Sequence, residues 1–521
     1  MPHDALPRCD ASFASTASTV QPDFTLDNDL EKQLESASSS PPDERKAEQL
    51  PEPATPAVPP AKLDASKDPR QWATWKKLLS NAALCAWVLS LTYASTAYVA
   101  SIPALMRRYS VSQEVAILGL TLYVLGFAAG PLVFGPSSEL YGRRIVYIGA
   151  GVGYIAFSWG AAFANNTAAM MLFRFFIGFF GAASINNVPA SIGDFTTPAN
   201  RGPYSIFYAI AAFGGPSLGP LCSSFIEVDA GWQWNFRVMA LYSTITTLLV
   251  ALVPETHGPT LLRWQQQREA KEGGGEVQAE KPDLGKVMTV YGQALKRPML
   301  FLFTEPIVGF IALYLSVLYG VLYGFFEAFE VVYVEIRHFK ISSFGLTYIS
   351  LGLGFFFGAV LVATVGNKAY LAALEKAKAQ GETTSNLAEA RLAVVLPAAI
   401  LCPISLFIFA WTAPFTHVHW IAPCIAEFLF GATVLVIFTS FIPYLIECYL
   451  THSASALAAG MSSRSLFGAI FPLFTLQLYH GATVQGATSL FAGIACVLAP
   501  LPFAFKRIGP RLRAKSRYAV A

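Results

Sequence analysis

Six ionisable side chains stand inside otherwise apolar runs of this 521-residue chain: Arg174, Glu305, Glu327, Glu330, Glu427 and Arg464. A charge surrounded by hydrocarbon is costly unless it is paired or hydrated, so such residues mark places where ions, protons or substrates are handled. An arginine offers five N–H donors to a carboxylate or an anionic ligand, whereas a glutamate offers a seat for a proton or a cation. Arg464 falls near the middle of its run, where a long side chain is least able to reach water, and so needs an anionic group or a carboxylate partner. Glu427 fits either of two parts: it could carry a proton, or it could neutralise Arg464 on the neighbouring helix. Glu327 and Glu330 read as a hydrated outer mouth, and Glu305 as lying near the opposite entrance.

Other chemistries have no visible machinery. There is no glycine-rich phosphate loop ending in Lys-Ser or Lys-Thr, so ATP-driven work has no engine. The seven cysteines stand singly and the histidines lack metal-ligand spacing, so no metal, cofactor or enzymatic nucleophile is expected. A net charge of +3 with dispersed basic residues argues against nucleic acid.

The elements that hold these residues follow from where the charges lie. Of 69 Asp, Glu, Lys and Arg, 48 fall in residues 1–77, 255–297, 367–391 and 506–521, leaving 21 for the other 360 residues. A water-soluble globule must cover its core with a solvated surface and cannot distribute charge this way. Apolar stretches long enough to cross hydrocarbon as helices recur near 78–102, 115–136, 145–164, 168–193, 203–226, 236–254, 300–326, 344–366, 392–412, 420–446, 453–478 and 486–505. An even number puts both termini on one side. Lys and Arg crowd that side, against Arg107, Arg108, Arg237, Arg337 and Lys340 on the other, so both termini are expected to be cytoplasmic.

The expected architecture is therefore an all-α integral membrane protein of 12 transmembrane helices in two six-helix bundles. Residues 1–70 form a disordered cytoplasmic tail, 71–254 the first bundle, 255–298 a central cytoplasmic loop, 299–505 the second bundle and 506–521 a basic cytoplasmic tail.

Between spans 2 and 3 lies Gly135-Pro136-Ser137-Ser138-Glu139-Leu140-Tyr141-Gly142-Arg143-Arg144, a tight turn in which Glu139 can pair with Arg143 or with a cation of the other bundle. Span 4 carries Arg174 and ends at Asp194, with Arg201 just beyond, and span 5 contains Gly214-Gly215-Pro216-Ser217-Leu218-Gly219-Pro220. Gly215 and Gly219 make a flat strip for close helix packing, while Pro216 and Pro220 remove helix hydrogen bonds and permit a bend. The turn resembles the signature loop of the major facilitator superfamily, with Glu139 where aspartate is usual. The corresponding second-half loop around Gly366-Asn367-Lys368 is degenerate. Trp232-Gln233-Trp234-Asn235-Phe236, Pro254-Glu255-Thr256-His257-Gly258, Glu389-Ala390-Arg391-Leu392 and Tyr444-Leu445-Ile446-Glu447-Cys448-Tyr449 resemble the fungal twelve-span drug:proton antiporters of that superfamily.

The resemblance implies the major facilitator fold and proton-coupled export of a drug, secondary metabolite, organic acid or polyamine. It implies a gating network of Gly135, Glu139, Gly142, Arg143, Asp194 and Arg201, proton transfer at Arg174, and an antiport motif in span 5, where Ser223-Ser224 replace the usual glycine pair. Arg174, Glu327, Glu427 and Arg464 are the candidates for binding substrate or proton. The expected partners are a small-molecule substrate, protons and the lipid bilayer, with the chain acting as a monomer in the plasma membrane. A non-transporting receptor or scaffold on the same fold, and a dedicated dicarboxylate or other organic-anion exporter, are the alternative readings.

Overall fold

In hydrocarbon each backbone N–H and C=O must find its partner inside the protein, and a helix satisfies both within one segment. The computed structural model describes residues 63, 64, 66–197, 200–272, 284–380, 384–449, 452–516, 518 and 519, and helices make up nearly all of them, with no strand among the described residues. Most of the tail expected at 1–70, and the glycine run at 273–275, lie outside the described residues.

The first half contains α1 (Thr74–Thr96), α2 (Gln113–Tyr141), α3 (Arg143–Ala162), α4 (Thr167–Phe195), α5 (Arg201–Ala230) and α6 (Trp232–Ala251). The second contains α7 (Pro306–Phe329), α8 (Ile341–Leu361), α9 (Val395–Thr412), α10 (Ile421–Cys448), α11 (453–482) and α12 (484–498). The last two are joined at Thr483, whose φ of 63° breaks the helix. The break brings Tyr479 Oη to 2.9 Å from Thr488 Oγ1. A continuous helix would hold residues nine apart at about 13 Å along its axis. Among the described residues ten segments are long and apolar enough to cross a membrane, the last of them Ser453–Lys515. That segment holds both α11 and α12, and α6, made more polar by Gln233, Asn235 and Arg237, completes the twelve.

Local chemistry sets the ends. Asn166 caps α4 by accepting from Ala169 N at 2.7 Å. The expected span at 300–326 begins only at Pro306, because Glu305 leaves helical geometry and Pro306 has no N–H to extend the preceding helix Leu284–Thr304. No turn forms at Gly366-Asn367-Lys368: α8 passes through a π-helical turn, Val362–Gly366, straight into a helix at Asn367–Gln380. Residues 506–515 lie within the helix Leu501–Lys515.

In the first half α2 packs on α4, α1 on α5, and α3 on α4 and α6. In the second, α7 packs on α11, and α10 on α8 and α9. The halves meet where α2 lies along α11 and α5 along α8. We call the face at which α1 and α7 begin the tail face, and the other the far face.

Candidate functional site

Arg174 is held at the last turn of α1. That helix stops at Thr96 and the α-helix resumes only at Ile102, so the carbonyls of Ala94 and Ser95 find no amide donor further along among the described residues. Arg174 Nη1 donates to Ala94 O at 2.8 Å, Nη2 to Ser95 O at 3.1 Å, and Nε to Gly119 O of α2 at 3.0 Å. The rings of Tyr98 and Tyr123 cover the guanidinium at 4.5 and 4.1 Å. Arg174 is 1% exposed, and the void beside it, about 10 Å³, is no larger than one water. The side chain does not face an open polar cavity; it is enclosed, a cationic cap on a helix that ends inside the bundle.

Arg464, the twelfth residue of α11, has a different environment. Its guanidinium lies 5.6 Å from the ring centre of Tyr319 on α7 and 5.7 Å from that of Phe438 on α10, and it is half-buried. Tyr208 of α5, across the junction between the halves, lies within its field. Phe438 also packs on Phe213 of α5, and Phe213 on Phe355 of α8, so rings from both halves gather here. Among the described residues no carboxylate or carbonyl accepts a hydrogen bond from Arg464.

Glu427 is not the partner of Arg464. It is the seventh residue of α10, counted from the far face, and fully buried; Tyr333 Oη donates to Oε1 at 2.6 Å and Ser350 Oγ donates to Oε2. Glu327, on α7, is also fully buried rather than at a hydrated mouth, and neither of its oxygens has a hydrogen-bond partner among the described residues. Tyr348 lies in the fields of Glu327, Glu330 and Glu427, so the three carboxyl groups share one region towards the far face. Glu305 is placed near the tail face and accepts from Tyr449 Oη at 2.8 Å.

On the tail face the turn at Gly142 has φ of 96°, and an added Cβ would stand 2.6 Å from Glu255 Oε2, so only glycine fits. Beyond it Arg143 Nε donates to Asp194 Oδ2 at 3.3 Å and Nη1 to Ser138 Oγ at 2.5 Å. Glu139 is exposed and has no partner among the described residues, so the expected pairing with Arg143 is not made. Arg201 forms no ion pair with Asp194; its guanidinium lies against Gly193, with Nε buried and without a hydrogen-bond partner among the described residues. Gly135 packs beside Asn186.

The hub of the cluster is Glu255. Its Oε1 accepts from the backbone N–H of Arg143, Thr256 and His257 at 3.0, 2.9 and 2.9 Å, and Oε2 from that of Arg144 at 3.0 Å. It thereby caps α3 from outside, where Gly142 has no side chain to do so. Burial, and then the Arg143 charge, push the neighbouring His257 below its ordinary pKa of 6.5, with Glu255 opposing. In the sequence Pro254-Glu255-Thr256 is only a mark of resemblance, because nothing local says which helix end the carboxylate will cap.

Sequence reasoning misses a second charged cluster for the same reason. Arg391 donates to Glu447 Oε1 through Nε at 3.0 Å and Nη2 at 2.8 Å, and stacks 3.5 Å over Tyr370. Arg513, buried, pairs with Glu389 at 3.0 Å. These charges stand before α9, at the end of α10 and after α12, much as Arg143, Asp194 and Glu255 stand at the start of α3, at the end of α4 and after α6. The second half thus has its own cluster, downstream of the degenerate loop, with the sign reversed at the last position.

On α5, added Cβ atoms at Gly215 and Gly219 would stand 2.0 Å from Thr92 Oγ1 and 2.3 Å from Thr96 Oγ1, so the backbones of α1 and α5 touch. Pro216 and Pro220 are buried beside them, and Ser224 Oγ donates to the Pro220 carbonyl at 2.7 Å.

Twelve membrane-crossing helices in two groups of six, with a charged turn after the second, define a major facilitator fold. The profile of the Major Facilitator Superfamily matches residues 82–472, and the chain belongs to that superfamily of membrane transporters. It is 37% identical over 454 residues to the efflux pump FUBT of Fusarium oxysporum, covering 86% of this chain and 75% of that one. It is 35% identical over 466 residues to the major facilitator superfamily multidrug transporter mdrA of Aspergillus fumigatus, covering 87% and 74%. Among solved structures it resembles the proton:xylose symporter XylE with a TM-score of 0.60 at 16% identity, covering 84% of this chain and 97% of that one, a likeness of fold alone.

Proposed function

We propose that this chain is a proton-coupled exporter of small organic molecules in the plasma membrane, working as a monomer with both termini cytoplasmic. Residues 71–254 and 299–505 act as the two moving bundles and 255–298 as the loop that joins them, with substrate bound between them at mid-depth. Outward direction is supported by the relatives, which are named as an efflux pump and a multidrug transporter.

The observation that carries the coupling is Glu327, a fully buried carboxyl group with no hydrogen-bond donor at either oxygen among the described residues. A neutral acid needs no counter-charge in such a place, whereas an ionised one does, so a proton arriving or leaving there is tied to whether the region is closed or open. Glu427 is the second acceptor in the same region, but its two hydroxyl donors make it less dependent on a proton. The clusters at Arg143 and Arg391 tie helix ends together within each bundle on the tail face, so that each bundle turns as a unit.

The test is uptake of a multidrug panel into inside-out vesicles under an imposed proton gradient. Glu327→Gln should abolish the response to the gradient while sparing exchange down a substrate gradient, and Glu427→Gln should have the smaller effect. A folded protein that moves nothing in the panel would instead support a receptor or scaffold.

A further inference from the structure

We infer that Arg464 is the recognition point for an anionic substrate group, and that the cargo is a small amphiphilic organic acid, carried as its carboxylate with an aromatic or apolar body. This rests on the transporter reading and narrows it to a substrate class.

The first ground is the guanidinium itself. Its donors find no acceptor among the described residues, although it sits about 17 Å along a helix that starts at the tail face. The acids that could have answered it are placed elsewhere or already engaged. Glu305 accepts from Tyr449, Glu447 from Arg391, Asp194 from Arg143, and Glu427 from Tyr333 and Ser350. Glu327 is grouped with Glu330 and Glu427 around Tyr348, towards the far face. The counter-charge therefore comes from outside the chain.

The second ground is what surrounds the cation. Tyr319 and Phe438 belong to the second half and Tyr208 and Phe213 to the first, so a ligand seated at Arg464 touches both. A carboxylate matches the planar fork of the guanidinium with two parallel hydrogen bonds, and the rings offer its apolar body a surface to lie on. A free cation repels a cationic drug from the same place.

The third ground is the contrast with Arg174, which spends its donors on three carbonyls and is sealed. Arg464 has no such structural employment, so its removal should leave the fold intact.

The experiment uses the full-length protein in inside-out vesicles with a proton gradient, and in nanodiscs for binding. The probes are 1-naphthoate, its neutral amide 1-naphthamide, and the cation tetraphenylphosphonium. Naphthoate should be taken up and bound, the amide at least about tenfold less, and Arg464→Gln should lower naphthoate uptake and binding at least about tenfold at equal membrane abundance. Arg464→Lys, which keeps the charge and loses the fork, should fall between, and serves if the glutamine variant does not fold. Uptake of tetraphenylphosphonium without naphthoate, or naphthoate uptake indifferent to Arg464, overturns the assignment and leaves the transporter reading standing. Naphthoate binding that depends on Arg464 without flux of any probe sinks the transporter reading and keeps the site. Folded protein that neither binds nor moves naphthoate overturns the assignment.

Discussion

Arg174 and Arg464 are the same residue type on spans 4 and 11, both deep in the helix bundles, and their surroundings share little beyond nearby aromatic rings. Arg174 donates to carbonyls of two neighbouring helices and is closed off by two tyrosine rings. Arg464 has ring faces beside it, no acceptor among the described residues, and a position at the junction of the halves. Inside a membrane the number of filled donors, more than depth, separates an arginine that holds a structure from one that awaits a ligand. The same distinction divides two of the carboxyl groups towards the far face: among the described residues Glu427 has a donor on each oxygen, Glu327 on neither.

The contrast fails most visibly if the two arginines respond alike to removal. Arg174→Leu strands the buried carbonyls of Ala94 and Ser95, and a loss of about 3–5 kcal/mol of stability is expected, read as a large fall in Tm in detergent and in membrane abundance. Arg464→Gln should change Tm little, and a fall as large as that of Arg174→Leu would show that both are structural. A smaller effect probes the reason for the difference. Gly215 and Gly219 set the approach of α5 to the last turn of α1, whose carbonyls Arg174 caps. Gly219→Leu should cost about 1–3 kcal/mol by overpacking and should be partly masked in an Arg174→Leu background, which a double-mutant cycle on Tm would detect. Additive losses would show that the glycine strip and the arginine cap act independently.

The smallest effect concerns the tail face of the first half. His257 has a folded pKa below its ordinary 6.5, so the folded protein binds fewer protons than the unfolded chain in that range. Its contribution is present above pH 6.5 and is lost as pH falls through that value towards the lower folded pKa. His257→Gln should therefore flatten the decline of Tm between neutral and mildly acid pH, and an unchanged slope would show that other groups govern it.

How much of this is legible in the residues depends on the range over which each feature is decided. The twelve crossings can be read because hydropathy over a helix length is a local property, and Asn166 as a cap lies next to the helix it starts. The boundary before α7 is hidden, because Glu305-Pro306 interrupts an apolar run without changing its mean hydropathy enough to show. Glu255 is visible as part of a motif and not as the cap of α3, because its acceptor geometry joins residues more than a hundred apart.

Residue order alone establishes that this chain crosses a membrane, how many times, and which few ionisable residues have to be accounted for there, since the cost of a charge in hydrocarbon is the same in any fold. It also carries the charged turn that marks the superfamily. What each ionisable residue touches was decided by packing. Packing set Arg174 against the open end of α1, gave Glu427 two hydroxyl donors, left Glu327 with none and left Arg464 among rings. Hydrogen-bond partners are assigned by which helices touch and at what height, and spacing along the chain does not contain that information.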